Sequence, residues 1–534
     1  MTIAVDILEY RWERIQLHVR VRRADEGPPL AALWLRPRGA DELVPPAHAE
    51  VAEGDVFARF NVMQGPGRLP LDPGAWEIVG SVGDEAPVTL AAPSGRIDAA
   101  TATARFQLGR GEYRAELVLR DDAALTLEVV LDPSIRRPPP PMTATRFVKR
   151  HVKRVLRPVR RAVFRLIFIA ARATRPRGRR RILFTSDSND NLSGNLKLVY
   201  DRMVERGVDR EYDLRTLLRA RARHGRGIRH RLRLPAALGR ADIVVLDDYH
   251  PLVYTLDFGP QVKVVQLWHA SGAFKTVGYS RIGRPGAPSP YGRAHKNYTH
   301  AIVSSRFEVP CYAEAFGISE SRVFPTGIPR MDRFFDEPTR AANRESTVAM
   351  FPAVRGRFTI LFAPTFRGNG ARGAHYDLEL LDYAALHALC VAKDAVVLFR
   401  MHPFVRTPVA IPAAFRDRLL DASRPGIDVN DLLPAVDLVI TDYSSVVFEF
   451  AALGKPMLFF AYDLEEYVSS RGFYTPYREF VPGRIVESFP ELLEAIRTDD
   501  YQVEKVAAFA ARHLDHVDGR SVDRVVDLIL DSPA

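Results

Sequence analysis

The chain has 534 residues, 47% of them hydrophobic and 26% charged, and a formal net charge of +10. That balance fits a folded protein with more than one core and excludes a disordered, collagen-like or disulfide-framed chain. Cys311 and Cys390 stand far apart and match no metal or redox spacing, so a reducing compartment is expected.

In chain order, residues 1–135 read as a small β-rich accessory domain. The opening MTIAVDILEYRWER carries acids early and has no apolar core flanked by basic residues, so it does not read as a secretory signal. The stretches IQLHVRVRR, GAWEIVGSVG, ATARFQLG and YRAELVLRDDAALTLEVVLD alternate apolar and polar residues between Gly, Pro and Asp. An antiparallel sandwich or barrel is expected, without a catalytic constellation.

Residues 136–181 differ in kind. RRPPPPM (136–142) predicts a stiff linker. Residues 146–181 hold 15 Lys and Arg; without them the rest of the chain carries a net −5, so the basicity is local and points to one local partner. Val148, Val152, Val155, Val159, Val163, Leu166 and Ile167 recur at helical spacing, with Lys149, Arg150, Lys153, Arg154, Arg157, Arg160 and Arg161 between them. The pattern predicts an amphipathic helix, kinked at Pro158, lying on an anionic membrane surface. The competing expectation is that the helix packs its stripe on the first sheet. No run of about 18 uncharged apolar residues occurs, so no spanning helix is expected.

From residue 182 short apolar strands alternate with helical stretches: ILFTSDS, ADIVVLDDY, VKVVQLWHA, HAIVSSR, TILFAPTF, AVVLFRMHP, VDLVITDYS and KPMLFFAYD. This is α/β patterning with parallel sheets covered by helices. The length predicts two doubly wound domains, residues 182–345 and 346–534, facing one another across a cleft, with a polar helix-like break at DEPTRAANREST (336–347).

Several strands end in chemically useful residues, and the carboxyl ends of parallel strands share one edge. The first sheet offers His269, the small residues Ala270, Ser271 and Gly272, and Lys275. The second offers Thr365, Phe366 and Arg367; Arg400, Met401 and His402; then Asp442, with Ser444 and Ser445 opening a helix and Glu449 one turn on. Hydroxyls at a helix start suit a diphosphate, arginines could clamp it, and a carboxylate could accept from ribose hydroxyls. No P-loop, HExxH or strand-flanked DxD is present, so metal-independent chemistry is expected and no cofactor or metal site is assigned. Asp247 and Asp248 in VLDDYH are read as a strand end rather than metal ligands. The GxGxxG at 368–373 lacks the acidic partner of a dinucleotide site.

VVQLWHASGAFKTVG, FPTGIPRMDRF, ILFAPTFRG, LFRMHP and the long run from Asn430 to Tyr477 resemble the CDP-glycerol glycerophosphotransferase family of teichoic acid primases and polymerases. The resemblance implies a GT-B fold and metal-independent transfer of a polyol phosphate, glycerol phosphate first, from a CDP-alcohol to a lipid-linked acceptor. That acceptor favours the membrane as the partner of the basic helix, which predicts peripheral attachment at the cytoplasmic face. The resemblance also implies two essential histidines, matching His269 and His402, and a CDP-alcohol site matching Arg330, Thr365, Phe366, Arg367, Arg400, Ser444, Ser445 and Glu449. Many members read His-Gly-Thr-Pro-Leu-Lys where this chain has His269-Ala270-Ser271-Gly272-Ala273-Phe274-Lys275, and Leu196 replaces the proline of a family Asn-Pro. Donor choice could differ accordingly. The expected mechanism uses His269 as general base. His402, Arg400, Arg367 and the serine helix end would neutralise the pyrophosphate; sequence alone leaves the two histidine roles exchangeable. A glycosyltransferase of the same fold and a nucleic-acid-binding protein are the alternatives, and no nucleic acid partner is expected.

Overall fold

The computed structural model describes residues 2–93, 97–108, 111–132, 144–175, 178–219, 228–284, 287–368 and 373–531. The proline run 136–142 and residues 369–372 of the glycine motif lie outside them, as do the side chains of residues 144–157.

The N-terminal region is one sheet of ten strands. They are β1 (Thr2–Glu13), β2 (Gln16–Arg23), β3 (Ala32–Pro37), β4 (His48–Ala52), β5 (Asp55–Asn61), β6 (Gly74–Ser81), β7 (Val88–Ala91), β8 (Thr103–Leu108), β9 (Gly111–Leu119) and β10 (Leu125–Asp132). The order is β4-β5-β2-β1-β7-β6-β10-β9-β8, with β3 added on β6. Pairing is antiparallel except between β1 and β7, which run parallel, a departure from the antiparallel sandwich or barrel expected. Alternating side chains such as Val5, Leu17, Val19, Phe60, Ile78 and Leu127 form one core. This unit is bolted to the helix Val309–Phe316: Arg14 Nε and Gln16 Nε2 donate to the buried Glu314 carboxylate at 2.7 and 2.6 Å.

The next two sheets are parallel and six-stranded. The first contains β11 (Arg181–Ser186), β12 (Asp213–Leu218), β13 (Ile243–Leu246), β14 (Lys263–Gln266), β15 (His300–Val303) and β16 (Val323–Pro325), in the order β12-β11-β13-β14-β15-β16. The second contains β17 (Phe358–Phe362), β18 (Ala395–Phe399), β19 (Leu419–Asp421), β20 (Leu438–Thr441), β21 (Met457–Phe460) and β22 (Arg484–Val486), in the order β19-β18-β17-β20-β21-β22. Central strands such as β13, β18 and β20 are buried on both faces, which is why they read as unbroken apolar runs. The polar break forms the helix Glu337–Met350, capped by Asp336, whose carboxylate accepts from Thr339 N at 3.0 Å.

The last helix, Ser521–Leu530, returns to the first sheet instead of staying with the second. Arg202 grips Asp523 through two bonds of 2.8 and 3.0 Å, and Lys263 Nζ donates to the carbonyl of Leu528 at 3.2 Å. Through these contacts the C-terminal helix fastens the second half of the chain to the first.

The basic segment forms the helix Ala144–Ala173, which runs through Pro158. Phe164 and Phe168 are buried against the first sheet's outer core, with Phe168 edge-on to Phe258 at 5.4 Å, and Ala171 is buried as well. Val159, Val163, Leu166 and Ile169 remain exposed. The end of the basic run serves the fold: Arg175 pairs with Asp242, and Arg181 Nε bonds Asp213 at 2.8 Å. Among the described residues no helix is long and apolar enough to cross a membrane.

Candidate active site between the parallel sheets

His269 leaves the first sheet through a forced backbone turn. Trp268 sits at φ +54°, in the left-handed region that bulky residues avoid. Side chains hold it there. Gln266 Oε1 accepts from Trp268 N at 2.9 Å, and Asn195 Nδ2 donates to the Trp268 carbonyl at 2.9 Å. The Trp268 ring lies against Phe316 and over His269, with ring centroids 5.2 and 4.5 Å apart. His269 is thereby turned outward, with half its side chain exposed, and its Nδ1 faces Asp248 Oδ1 at 3.3 Å.

The loop that follows docks on the second sheet's helix Val446–Ala451. Gly272 has φ +74°, and a Cβ there would fall 1.9 Å from the Phe448 ring, so no side chain fits. Arg330 reaches across beside Ser271 and pairs with the buried Glu449 carboxylate. Asn195 ties this bridge to the histidine loop, because its Oδ1 accepts from Arg330 N at 3.0 Å. Further on, Thr276 N donates to the Gly472 carbonyl at 2.9 Å. Lys275 Nζ donates to Tyr467 OH at 2.8 Å, and burial lowers its pKa to about 8.

In the second sheet's loop after β18, His402 is half-buried between Phe366, tilted to it, and Phe404, edge-on to it, with centroids 4.7 and 4.8 Å away. Its Nδ1 accepts from Phe404 N at 3.1 Å, which leaves Nε2 as the protonated nitrogen. Burial first, then the positive charges of Lys275 and Arg400, push its pKa below the usual imidazole range. Ser444 Oγ accepts from Val446 N at 3.3 Å, while Ser445 is exposed at the head of the helix.

The structure reassigns several residues expected to touch a donor. Arg367 is not an open phosphate clamp: Nη1 bonds Asp442 at 2.8 Å, Nε and Nη2 bond Asp463 at 2.5 and 2.8 Å, and Tyr443 OH joins Asp463 at 3.0 Å. Asp442 is buried and also accepts from Thr365 N and Tyr443 N at 2.7 and 2.6 Å. Arg400 donates to the carbonyls of Met401 and Ile427 at 3.2 and 2.7 Å, and Met401 is itself buried. Glu449 is neither on a solvent face nor open to a ribose; it is buried, which raises its pKa, while Arg330 opposes the rise. Of the expected residues, His269 and Ser445 stay exposed and Ala270, Phe366, His402 and Ser444 partly so, whereas Ser271 is buried and Lys275 is bonded to Tyr467. Asn195 and Asp248, which touch the His269 loop, and Asp463, which holds Arg367, have contacts that sequence reasoning did not assign. Asp463 follows β21 as the other strand-end groups follow theirs, so the same rule would have found it. Among the described residues no three His, Cys, Asp or Glu side chains converge to hold a metal ion.

The family described as CDP-Glycerol:Poly(glycerophosphate) glycerophosphotransferase matches residues 167–531. The chain belongs to this family. Teichoic acid ribitol-phosphate polymerase TarK of Staphylococcus aureus is 46% identical over 364 residues, 68% of this chain and 71% of that protein. TarL of the same organism, also a teichoic acid ribitol-phosphate polymerase, is 44% identical over 367 residues, 69% of this chain and 65% of that one. The solved structure of a variant of the wall teichoic acid polymerase TagF superposes with a TM-score of 0.56 at 23% identity, covering 73% of this chain and 98% of that chain. That likeness gives the family member its fold, and the ten-stranded N-terminal sheet lies before the family match.

Proposed function

We propose that this family member transfers a polyol phosphate, ribitol phosphate first, from a CDP-polyol to a hydroxyl of a lipid-linked polyol-phosphate acceptor. The product is a teichoic acid or a related envelope polymer, and CMP is released. The observation that carries the reading is the seating of the His269 loop on the helix Val446–Ala451, with Lys275 of the same loop near enough to His402 for its charge to act on that ring. The relatives at 46% and 44% identity are named for ribitol phosphate, which supports ribitol over the glycerol expected from sequence.

The histidine geometry supports a division of labour. With its Nδ1 3.3 Å from Asp248 Oδ1, His269 keeps Nε2 as the nitrogen that acts as base. With Nδ1 accepting from Phe404, His402 offers an N–H donor and stabilises diphosphate oxygens. The acceptor oxygen loses its proton to His269 as it bonds to the phosphorus that carries the polyol. The bond from that phosphorus to the bridging oxygen breaks, and CMP leaves. The β11–β16 half holds the acceptor and the β17–β22 half holds the CDP-polyol. Incubation with CDP-ribitol or CDP-glycerol and a lipid-linked polyol-phosphate acceptor, with mass analysis of product and nucleotide, tests this. Release of UDP or GDP from a nucleotide sugar would instead establish glycosyl transfer.

Ser444→Ala combined with Ser445→Ala is expected to weaken CDP binding by about 1.5–3 kcal/mol per lost bond to the charged phosphate. Calorimetry with CDP measures it. Unaltered affinity would reduce both serines to a helix cap.

The membrane surface is the proposed partner of the basic helix. Its inner face is used by the fold, but Val163, Leu166 and Ile169 stay 44%, 64% and 59% exposed, among Arg160, Arg161 and Arg165. An apolar row with basic flanks suits an anionic headgroup layer, where each Lys or Arg is worth about 1 kcal/mol. The full chain is expected to co-sediment with anionic vesicles and to leave them at high salt. Val163→Asp with Leu166→Asp and Ile169→Asp should abolish sedimentation with little loss of stability, since the row is exposed. Equal binding by the triple variant would refute membrane attachment by this row.

A further inference from the structure

Asp248 stands just beyond the end of β13 and is held from four directions. Its Oδ1 accepts from Tyr249 N at 2.6 Å and faces His269 Nδ1 at 3.3 Å. Ser188, in the loop after β11, donates its hydroxyl to Oδ2, and the Asp248 carbonyl accepts from Gln266 Nε2 at 3.1 Å. Gln266 also receives the Trp268 amide, so one glutamine fixes both the carboxylate's backbone and the strained residue before the histidine. Neighbouring Asp247 turns away and accepts from Asn189 Nδ2 at 3.3 Å. A carboxylate tied this firmly has one free function, to fix the ring it faces.

We propose that Asp248 is the positioning residue of the active site: it anchors the imidazole of His269 with Nδ1 protonated and Nε2 bare toward the acceptor hydroxyl, and then stabilises the imidazolium that forms. The inference rests on His269 being the base. When the acceptor O–H bond breaks, its proton ends on Nε2, and the positive charge of the ring lies beside the Asp248 carboxylate. Burial alone would raise the Asp248 carboxyl, yet the bond and charge of His269, with the Ser188 and Tyr249 donors, hold it down at about 2, so it is ionised throughout the working range. The Trp268 ring lies against the imidazole with centroids 4.5 Å apart and limits its rotation. The arrangement needs three strands to agree: β11 supplies Ser188, β13 supplies Asp248 and β14 supplies Gln266 and His269. That explains why the aspartate is invisible as a partner in the sequence, where it stands apart from the histidine and looks like a strand end.

Nitrogen-15 NMR of histidine-labelled full-length protein reads the tautomer directly, and CMP release from CDP-ribitol with a lipid-linked acceptor reads the chemistry. In the native protein His269 should carry its proton on Nδ1. In Asp248→Ala it should shift predominantly to Nε2, and kcat should fall about a hundredfold, the scale of a misdirected general base, with KM for CDP-ribitol within about twofold. Asp248→Asn, which keeps the shape, guards against loss of folding and should lose kcat in the same way. A bare Nδ1 in the native protein, an unchanged tautomer in Asp248→Ala, or a loss confined to KM would overturn the proposal. The NMR arm does not depend on activity. If the tautomer shifts as expected while His269→Ala remains active, the pair is established and the assignment of His269 as base is what fails.

Discussion

His269→Ala is expected to lower turnover by about a hundredfold or more, and His402→Ala by a similar amount, with melting temperatures close to native. The size follows from the chemistry. An alcohol ionises far above neutral pH, so its proton must leave as the bond to phosphorus forms, and the diphosphate gathers charge as CMP departs. Stability should survive because His269 projects from the sheet edge with 55% of its side chain exposed, and His402 is clasped by only two rings. The two losses should differ in kind. Glutamine retains an N–H donor but has no basic nitrogen, so His402→Gln should recover part of the activity and His269→Gln none. Steady-state CMP release from CDP-ribitol, measured on variants whose circular dichroism matches the native protein, decides the matter. Near-native turnover in either alanine variant, or rescue of position 269 by glutamine, would overturn the roles.

The parts of the fold legible in the sequence were those where burial imposes a pattern. β11, β13, β14, β15, β17, β18, β20 and β21 were all expected from apolar runs. β12, β16, β19 and β22 were not, and each lies at the rim of its sheet. An edge strand has one neighbour and one exposed flank, so it need not be apolar; β12 (DLRTLL) has no fully buried residue and β19 (LLD) only one. The return of the helix Ser521–Leu530 was hidden for another reason. Its hold depends on Arg202–Asp523 and Arg206–Asp527, pairs more than 300 residues apart in sequence that no local pattern connects. Around the candidate site, strand-end logic names the loops but cannot tell which polar groups the fold consumes. Arg367 and Ser445 look equally available in the sequence. The fold surrounds the first with carboxylates and leaves the second at an exposed helix start.

Arg367→Ala is expected to destabilise the second parallel domain by about 3–5 kcal/mol, the usual consequence of removing one member of a buried charge network. The guanidinium is the common counterion of Asp442 and Asp463, whose side chains are 1% and 15% exposed. It also lies about 5 Å from the rings of Tyr443, Tyr462 and Tyr467, with Tyr376 beside them. Burial opposes its charge, but the Coulombic pull of Asp442 and the bonds from Asp463 more than offset that and raise its pKa. Without it two carboxylates are left in a poorly solvated pocket, and one must take up a proton or draw in water. Asp442 would then hold the Thr365 and Tyr443 amides less firmly, and Phe366, whose ring lies against His402, is the residue next to Thr365. Activity should fall through that displacement. Arg367→Lys should rescue little, because an ammonium group cannot span both carboxylates in the plane that a guanidinium fills. Chemical denaturation with and without CDP separates this from the phosphate-clamp expectation. A structural arginine lowers the midpoint in both conditions and leaves the CDP-induced increment nearly intact. A native midpoint without CDP, together with a lost increment, would return Arg367 to the donor phosphates.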